Sequence, residues 1–159
     1  MSLYLVFGSS GFIGRALCAG IRQQGHRVRA QLHHDANGPW DESPHCDLRS
    51  PELPAGIMTN VYGLFHCAGA AHYRGLSSDQ ENALWQLNVE GTRKLLEMAL
   101  NAGVRRLVYF SSVQAAGRPG SVCAAEDWRA PPDNSYGESK LAAEQLVDTV
   151  GRENGLHAC

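Results

Sequence analysis

The stretch that most limits how this chain folds runs from Leu3 to Gly14, Leu-Tyr-Leu-Val-Phe-Gly-Ser-Ser-Gly-Phe-Ile-Gly. An apolar run halts at a glycine, and two more glycines follow at intervals of three. It reads as a buried strand, a tight turn and the first turn of a helix. Gly8 gives the turn access to positive φ, Gly11 lets the backbone approach a ligand with no Cβ in the way, and Gly14 lets the helix pack close to the strand. The free N–H groups of the helix start then face whatever sits above the glycines, and a pyrophosphate suits them. The helix that follows carries Ile13, Ala16, Leu17, Gly20 and Ile21 at helical spacing and stops by Gly25.

At 159 residues the chain is read as one domain, long enough to bury a core. A net charge of −2, with Lys and Arg scattered, gives no footprint for nucleic acid or an anionic membrane surface. The sequence has no apolar run of the ~18 residues that would span a bilayer, and the apolar run at Leu3 is too short for a secretory signal. The five cysteines are widely spaced without a CxxC pair, the usage of reduced thiols in a cytoplasm. No metal site is expected: His33 and His34 are adjacent, so on a strand they would face opposite ways, and they read as loop histidines.

Further along, His26 to Leu32 is expected to form a second strand. A brief third strand would end at Asp47-Leu48, and Gly63 to Gly69 repeats the pattern of an apolar run halting at glycine. Residues from about Ser78 to Ala102 are strongly helical. Arg106 to Ser112 reads as a fifth strand, a loop rich in Gly and Pro runs from Ala116 to Pro132, and Asp133, Asn134 and Ser135 offer caps for a helix from Tyr136 to about Glu153 that stops at Gly155. Leu156 to Cys159 looks like the opening of a further strand. Alternating strands and helices imply an open parallel sheet wrapped by helices on both faces.

Tyr136 and Lys140 stand four apart at a helix start and project from one face. A phenol with its ordinary pKa of about 10 is a poor base at neutral pH, and a neighbouring ammonium favours the phenolate, so Tyr136 is a candidate proton donor and acceptor. Ser112, at the sheet edge where open α/β folds bind ligands, offers a hydroxyl for a carbonyl or alkoxide oxygen, while Ser111 reads as a strand cap.

GSSGFIG, CAG at 67 to 69, LNVEGT at 87 to 92, YFSS at 109 to 112 and YGESK at 136 to 140 together resemble the extended short-chain dehydrogenase/reductase family, and most of all its nucleotide-sugar 4-epimerases. The resemblance implies a Rossmann-type doubly wound parallel sheet. It also implies that Gly8, Gly11, Phe12, Ile13 and Gly14 hold the pyrophosphate of NAD. Asp47 and Leu48 would meet the adenine, and Ala68 and Gly69 would line the path to the nicotinamide. Ser112 would polarise the reacting oxygen, Tyr136 would be the acid/base, and Lys140 would bind the nicotinamide ribose and tune Tyr136. Asn88 would either support the active site or mark a helix kink. In such epimerases hydride moves to NAD and returns to the other face of a 4-keto sugar.

NAD-selective members carry an acidic residue at the end of the second strand, where this chain has Leu32, then His33 and His34. With Arg15 also near, that leaves NADP open beside NAD. Family members continue into a smaller substrate domain, so residues 1–159 would be the dinucleotide-binding domain, truncated before it. The resemblance further implies a nucleotide-sugar substrate and a homodimer through the helices at 78 to 102 and 136 to 153. His72 and Tyr73 read as a solvent-facing loop that could touch substrate. A keto-sugar or carbonyl reductase using NADPH, or a non-catalytic dinucleotide-binding regulator, are the alternatives.

Overall fold

A computed structural model describes residues 1–54, 56–70 and 76–159; His72 and Tyr73 lie outside the described residues. Five parallel strands form one sheet in the order β2-β1-β3-β4-β5. They are β1 Leu3–Phe7, β2 Arg27–Ala30, β3 Val61–His66, β4 Arg106–Tyr109 and β5 His157–Ala158. Helices α1 Phe12–Gln23, α2 Ser78–Trp85, α3 Gly91–Asn101 and α4 Ser135–Asn154 wrap it.

The alternation along β1 shows why both faces are covered. Leu5 and Phe7 join Leu64, Leu95, Leu107, Ala143 and Val147 in one buried cluster, under α3 and α4. Val6, pointing the other way, packs with Cys18 and Ile21 of α1 and with Val28. A strand buried on both faces reads as a continuous apolar run, and this one does. Each fully buried Leu or Phe contributes about 2 kcal/mol of transfer free energy, so the larger cluster dominates the stability.

Helix ends follow the local chemistry of the sequence. Ser77 and Gln80 form a reciprocal capping box at the start of α2. Asn134 caps α4, its Oδ1 accepting from the Gly137 N–H at 2.8 Å, and Gly155 ends that helix at φ 63°.

Three expectations need correction. The helix over 78 to 102 is not uniform: a π turn at Gln86–Glu90 separates α2 from α3, with the Gly91 N–H donating to the Gln86 carbonyl five residues back. The strand expected to end at Asp47-Leu48 is reduced to isolated parallel bridges, Arg29↔Glu42 and Leu32↔His45, beside β2. Pro39 and Pro44 explain that, because neither has an N–H for a continuous ladder. Arg106–Tyr109 is accordingly the fourth strand, and it ends before Ser111 and Ser112. Among the described residues no helix is long and apolar enough to cross a membrane.

Candidate active site

The loop after β1 uses its glycines for three different purposes. Gly8 sits at φ 78°, and a Cβ there would lie 2.6 Å from the Ala68 nitrogen, so β1 and the end of β3 approach as closely as backbones can. Gly14 is seated under the turn: a Cβ would come within 2.2 Å of the Gly8 carbonyl oxygen. Gly11, at φ −74°, is the N-cap of α1; it offers no side-chain cap, and α1 has no acidic residue in its first turn. Phe12 and Ile13 open α1 with their side chains 94% and 50% exposed, and neither they nor Gly14 line the cleft in front of the loop. An uncapped helix start with a bare glycine in front is suited to an anion.

In front of this loop lies a cleft of about 400 Å³. Of the residues expected to bind cofactor, Gly8, Gly11, Asp47, Leu48, Ala68 and Gly69 line it. His33, expected near the cofactor's 2′ position, lines it as well, and so do Gln31, Cys46, Arg49, Cys67 and Leu87, which were not singled out as cofactor contacts.

Gln31 is the most informative of these. It is 5% exposed; its Oε1 accepts from the Gly8 N–H at 3.1 Å, its carbonyl accepts from the Ser9 hydroxyl at 2.6 Å, and its Nε2 donates to the Cys46 carbonyl. One amide thus ties the glycine turn to the segment that carries Asp47. The signal in the sequence was a polar residue interrupting Val-Arg-Ala-Gln-Leu just where the second strand ends.

At the far end of the cleft Asp47 is held by Arg49, with the His33 ring beside it. Arg49 donates to it through Nε at 3.0 Å and Nη2 at 2.8 Å, and His33 Nε2 stands 3.1 Å away. The Arg49 hydrogen bonds hold the Asp47 carboxyl well below the usual carboxylate range. His33 and His34 do not face opposite ways: they lie beyond β2, and their ring centroids are 4.1 Å apart. Leu32 is buried at 2% exposure and presents nothing to the cleft. Arg15 is turned elsewhere, donating to the Ser10 and Asn37 carbonyls with its guanidinium 5.6 Å from the Trp40 ring centre. Burial pushes the Cys46 and Cys67 thiols up to about 11 and 12, so both remain protonated at neutral pH. Among the described residues no group of three or more His, Cys, Asp or Glu gathers as a metal site would require.

The remaining candidates meet at the end of β4. Lys140 is 4% exposed; its Nζ donates to the Phe110 carbonyl at 2.7 Å and stands 4.2 Å from the Tyr109 ring centre. Burial pulls its pKa down to about 8. A Cβ on Gly69 would lie 3.8 Å from the same Nζ, which sets the ammonium against the wall of the cleft. Ser112 caps the 3-10 turn Val113–Ala116, its Oγ accepting from the Gln114 N–H at 3.3 Å. That turn packs on the start of α4, where a Cβ on Gly137 would be 2.4 Å from the Gln114 carbonyl oxygen. Tyr136 precedes Gly137, one turn before Lys140, so the start of α4 lies beside the turn that follows Ser112. Asn88 is buried in the π turn; its Oδ1 accepts from the Ala70 N–H at 2.9 Å and its Nδ2 donates to Ser139 Oγ at 2.9 Å. Asn88 thus stands at the helix irregularity and ties it to the Ala70 backbone and to α4.

A family model described as the NAD dependent epimerase/dehydratase family matches residues 4–159. A Synechocystis sp. protein bearing the name dihydroflavonol 4-reductase is 35% identical over 158 residues, covering 94% of this chain and 45% of that protein. A UDP-glucose 4-epimerase of Streptomyces lividans is 31% identical over 167 residues, covering 98% of this chain and 49% of its own length. The chain therefore spans about half the length of these curated relatives. The solved structure of MoeE5 in complex with UDP-glucose and NAD superposes with a TM-score of 0.84 at 30% identity, over 98% of this chain and 51% of that one.

Proposed function

The chain belongs to the NAD dependent epimerase/dehydratase family, and from that footing we propose that it is the cofactor-binding portion of a nucleotide-sugar epimerase acting through a 4-keto intermediate. The observation that carries the reading is the seat of Lys140. A buried ammonium bonded to the Phe110 carbonyl stands against Gly69 of the cleft, with Tyr136 one turn earlier on its own helix and Ser112 two residues beyond Phe110. That is where a proton must be exchanged if a dinucleotide fills the cleft.

The cleft fits the family's cofactor on its own terms: an uncapped helix start, and at Gly11 a backbone that lines the cleft with no side chain in front of it. In this reading the N–H groups of Phe12 and Ile13 hold the pyrophosphate, Gly8 and Gly14 shape the turn, and Asp47 and Leu48 meet the adenine. Ala68 and Gly69 flank the nicotinamide, and Lys140 binds its ribose. When bound, NAD supplies the hydride acceptor and later returns the hydride. Tyr136 takes the proton of the sugar hydroxyl, Ser112 steadies the oxygen as it becomes a carbonyl, and Asn88 braces both. The 159 residues are the dinucleotide-binding domain in this view, and the rest of the sugar-binding surface lies in the part of its relatives that the chain does not span.

Two finer points belong to the same proposal. A groove of about 450 Å³ between α2, α3 and α4, lined by Trp85, Val89, Leu146 and Val150 among others, supports a homodimer. Five unpaired thiols support a cytoplasmic setting.

A second reading, a reductase of keto-sugars or small carbonyls using NADPH, draws support from Leu32 in place of an acid and from Arg49 and His33 at the cleft. Titration calorimetry of this chain with NAD and NADP, followed by a coupled assay of UDP-glucose and UDP-galactose interconversion in a protein that also carries the remaining length of its relatives, tests the proposal. Tight NAD binding and reversible epimerisation support it; stoichiometric oxidation of NADPH with no interconversion replaces it with the reductase.

A further inference from the structure

Behind the cleft, a line of buried polar side chains crosses four elements. His66 on β3, Thr92 on α3, Asn88 in the π turn and Ser139 on α4 are 1%, 1%, 2% and 0% exposed. His66 Nε2 lies 2.9 Å from Thr92 Oγ1. The Thr92 hydroxyl donates to the Asn88 carbonyl at 2.7 Å. Asn88 in turn clasps the backbone of Ala70 in both directions, accepting from its N–H at 2.9 Å and donating to its carbonyl at 3.2 Å, and donates to Ser139 Oγ at 2.9 Å. The Ser139 hydroxyl then donates to the carbonyl of Tyr136 at 2.8 Å. Every hydrogen has one place to go. The single Thr92 proton is spent on Asn88, so Thr92 Oγ1 accepts, and His66 must carry its proton on Nε2.

The π turn gives this line its purpose. A π turn is rare and frequently sits at a functional site, because it rotates one residue out of the ordinary helical register. Here the rotated residue is Asn88, which reaches the cleft wall on one side and the Tyr136 turn on the other. The Thr92 hydroxyl holds the Asn88 carbonyl from inside the fold and His66 holds Thr92, so the register is braced by side chains that touch neither cleft nor reacting atoms.

We propose that His66 and Thr92 are positioning residues which, through the Asn88 π turn and Ser139, set the cleft wall at Ala70 and the helical turn of Tyr136 in register with one another. This rests on the dinucleotide reading of the cleft. Without the hydroxyl the segment relaxes toward the four-residue register, Asn88 turns away, and both ends lose their common support.

The test compares Thr92→Val, which keeps the shape and removes the hydroxyl, with Thr92→Ser, which keeps the hydroxyl. Two readouts are taken on the 159-residue chain: NAD affinity by calorimetry, and the NMR signals of the Ala70 amide, the Asn88 side-chain amide and the His66 ring. Thr92→Val is expected to weaken NAD binding by about tenfold, the equivalent of one or two neutral hydrogen bonds, with Thr92→Ser within about twofold of wild type. The Ala70 and Asn88 signals shift in Thr92→Val and return in Thr92→Ser, and the His66 ring shows the Nε2–H tautomer. Should Thr92→Val fail to fold, Ser139→Ala cuts the same line at its other end and is read by the same Asn88 signal together with the Tyr136 amide. Failure of wild type to bind NAD would defeat the reading of the cleft alone, since the NMR comparison needs no ligand. Unmoved Ala70 and Asn88 signals in the folded variant, or an Nδ1–H His66, overturn the inference itself.

Discussion

Lys140 donates its ammonium hydrogen to the carbonyl of Phe110 across 2.7 Å, which fastens the first turns of α4 to the strand end that leads into Ser112. Because burial pulls this lysine down to about 8, its charge is lost just above neutral pH. If the ammonium contacts the nicotinamide ribose, NAD affinity is greatest below pH 8 and weakens as pH rises from 7 to 9. Lys140→Met is expected to bind weakly at every pH, by about tenfold, the scale of one charge-assisted hydrogen bond. Calorimetric titrations across that range decide it, and an affinity indifferent to pH in wild type would remove Lys140 from the contact.

The glycines separate stability from binding. In Gly14→Ala the new Cβ meets the Gly8 carbonyl oxygen at 2.2 Å, so α1 must lift from the sheet, at an expected cost of about 3 kcal/mol. Gly11→Ala keeps an ordinary φ and meets the Gly8 carbonyl oxygen at 3.3 Å, tight enough to need a shift of a few tenths of an ångström, so it is expected to cost about 1 kcal/mol, well below Gly14→Ala. Its Cβ instead enters the place a pyrophosphate needs, and NAD binding falls. Urea unfolding beside calorimetry reads the two effects; equal losses of stability in both variants would refute the division.

What the sequence revealed and what it hid divide along the range of the interactions. The Gly8 to Gly14 turn, the Asn134 cap, the Gly155 stop and the Tyr136 to Lys140 spacing are written within a few residues of chain, and all were legible. Gln31 was missed because its significance lies in Gly8 and Cys46, which only the folded sheet brings to it. The π turn was missed because the apolar stripe from Leu84 to Ala99 reads equally well as one helix, and what shifts its register is a hydroxyl bonded to a histidine on another element. His33 and His34, read as loop histidines, stand exposed just past the end of β2, where the rule of opposite faces on a strand no longer applies.

Stability is expected to fall steeply above pH 9. Burial raises the thiols of Cys18, Cys46 and Cys67 from an ordinary 9 to about 11, 11 and 12. In that window the unfolded chain has shed protons that the folded chain keeps, so the unfolded state is favoured as pH rises. Lys140 opposes this, since its folded value of about 8 lies below the ordinary 10.5 and its burial becomes less costly between the two. Tyr109, whose phenol is also raised by burial, adds to the loss in the same window, and four groups against one leave a net loss on the order of 3 kcal/mol per pH unit near pH 10. Urea titrations at pH 8, 9 and 10 under reducing conditions measure the slope, and Cys67→Ala should flatten it; a level profile would mean that these thiols are solvated.

Tyr109→Phe is expected to be neutral or stabilising, against the usual direction of a core substitution. The Tyr109 ring is 9% exposed, lies 5.4 Å from the His66 ring centre and receives the Lys140 ammonium at 4.2 Å. Phenylalanine preserves the packing and the cation–π contact. The hydroxyl, by contrast, is buried with no hydrogen-bond partner among the described residues, so it loses water on folding and gains nothing in return. Removing it relieves a desolvation cost of about 1 kcal/mol. Thermal and urea unfolding of the two proteins at pH 7 measure the difference, and a loss of 1 kcal/mol or more in Tyr109→Phe, near the net value of a neutral hydrogen bond, would show that the hydroxyl is bonded inside the fold after all.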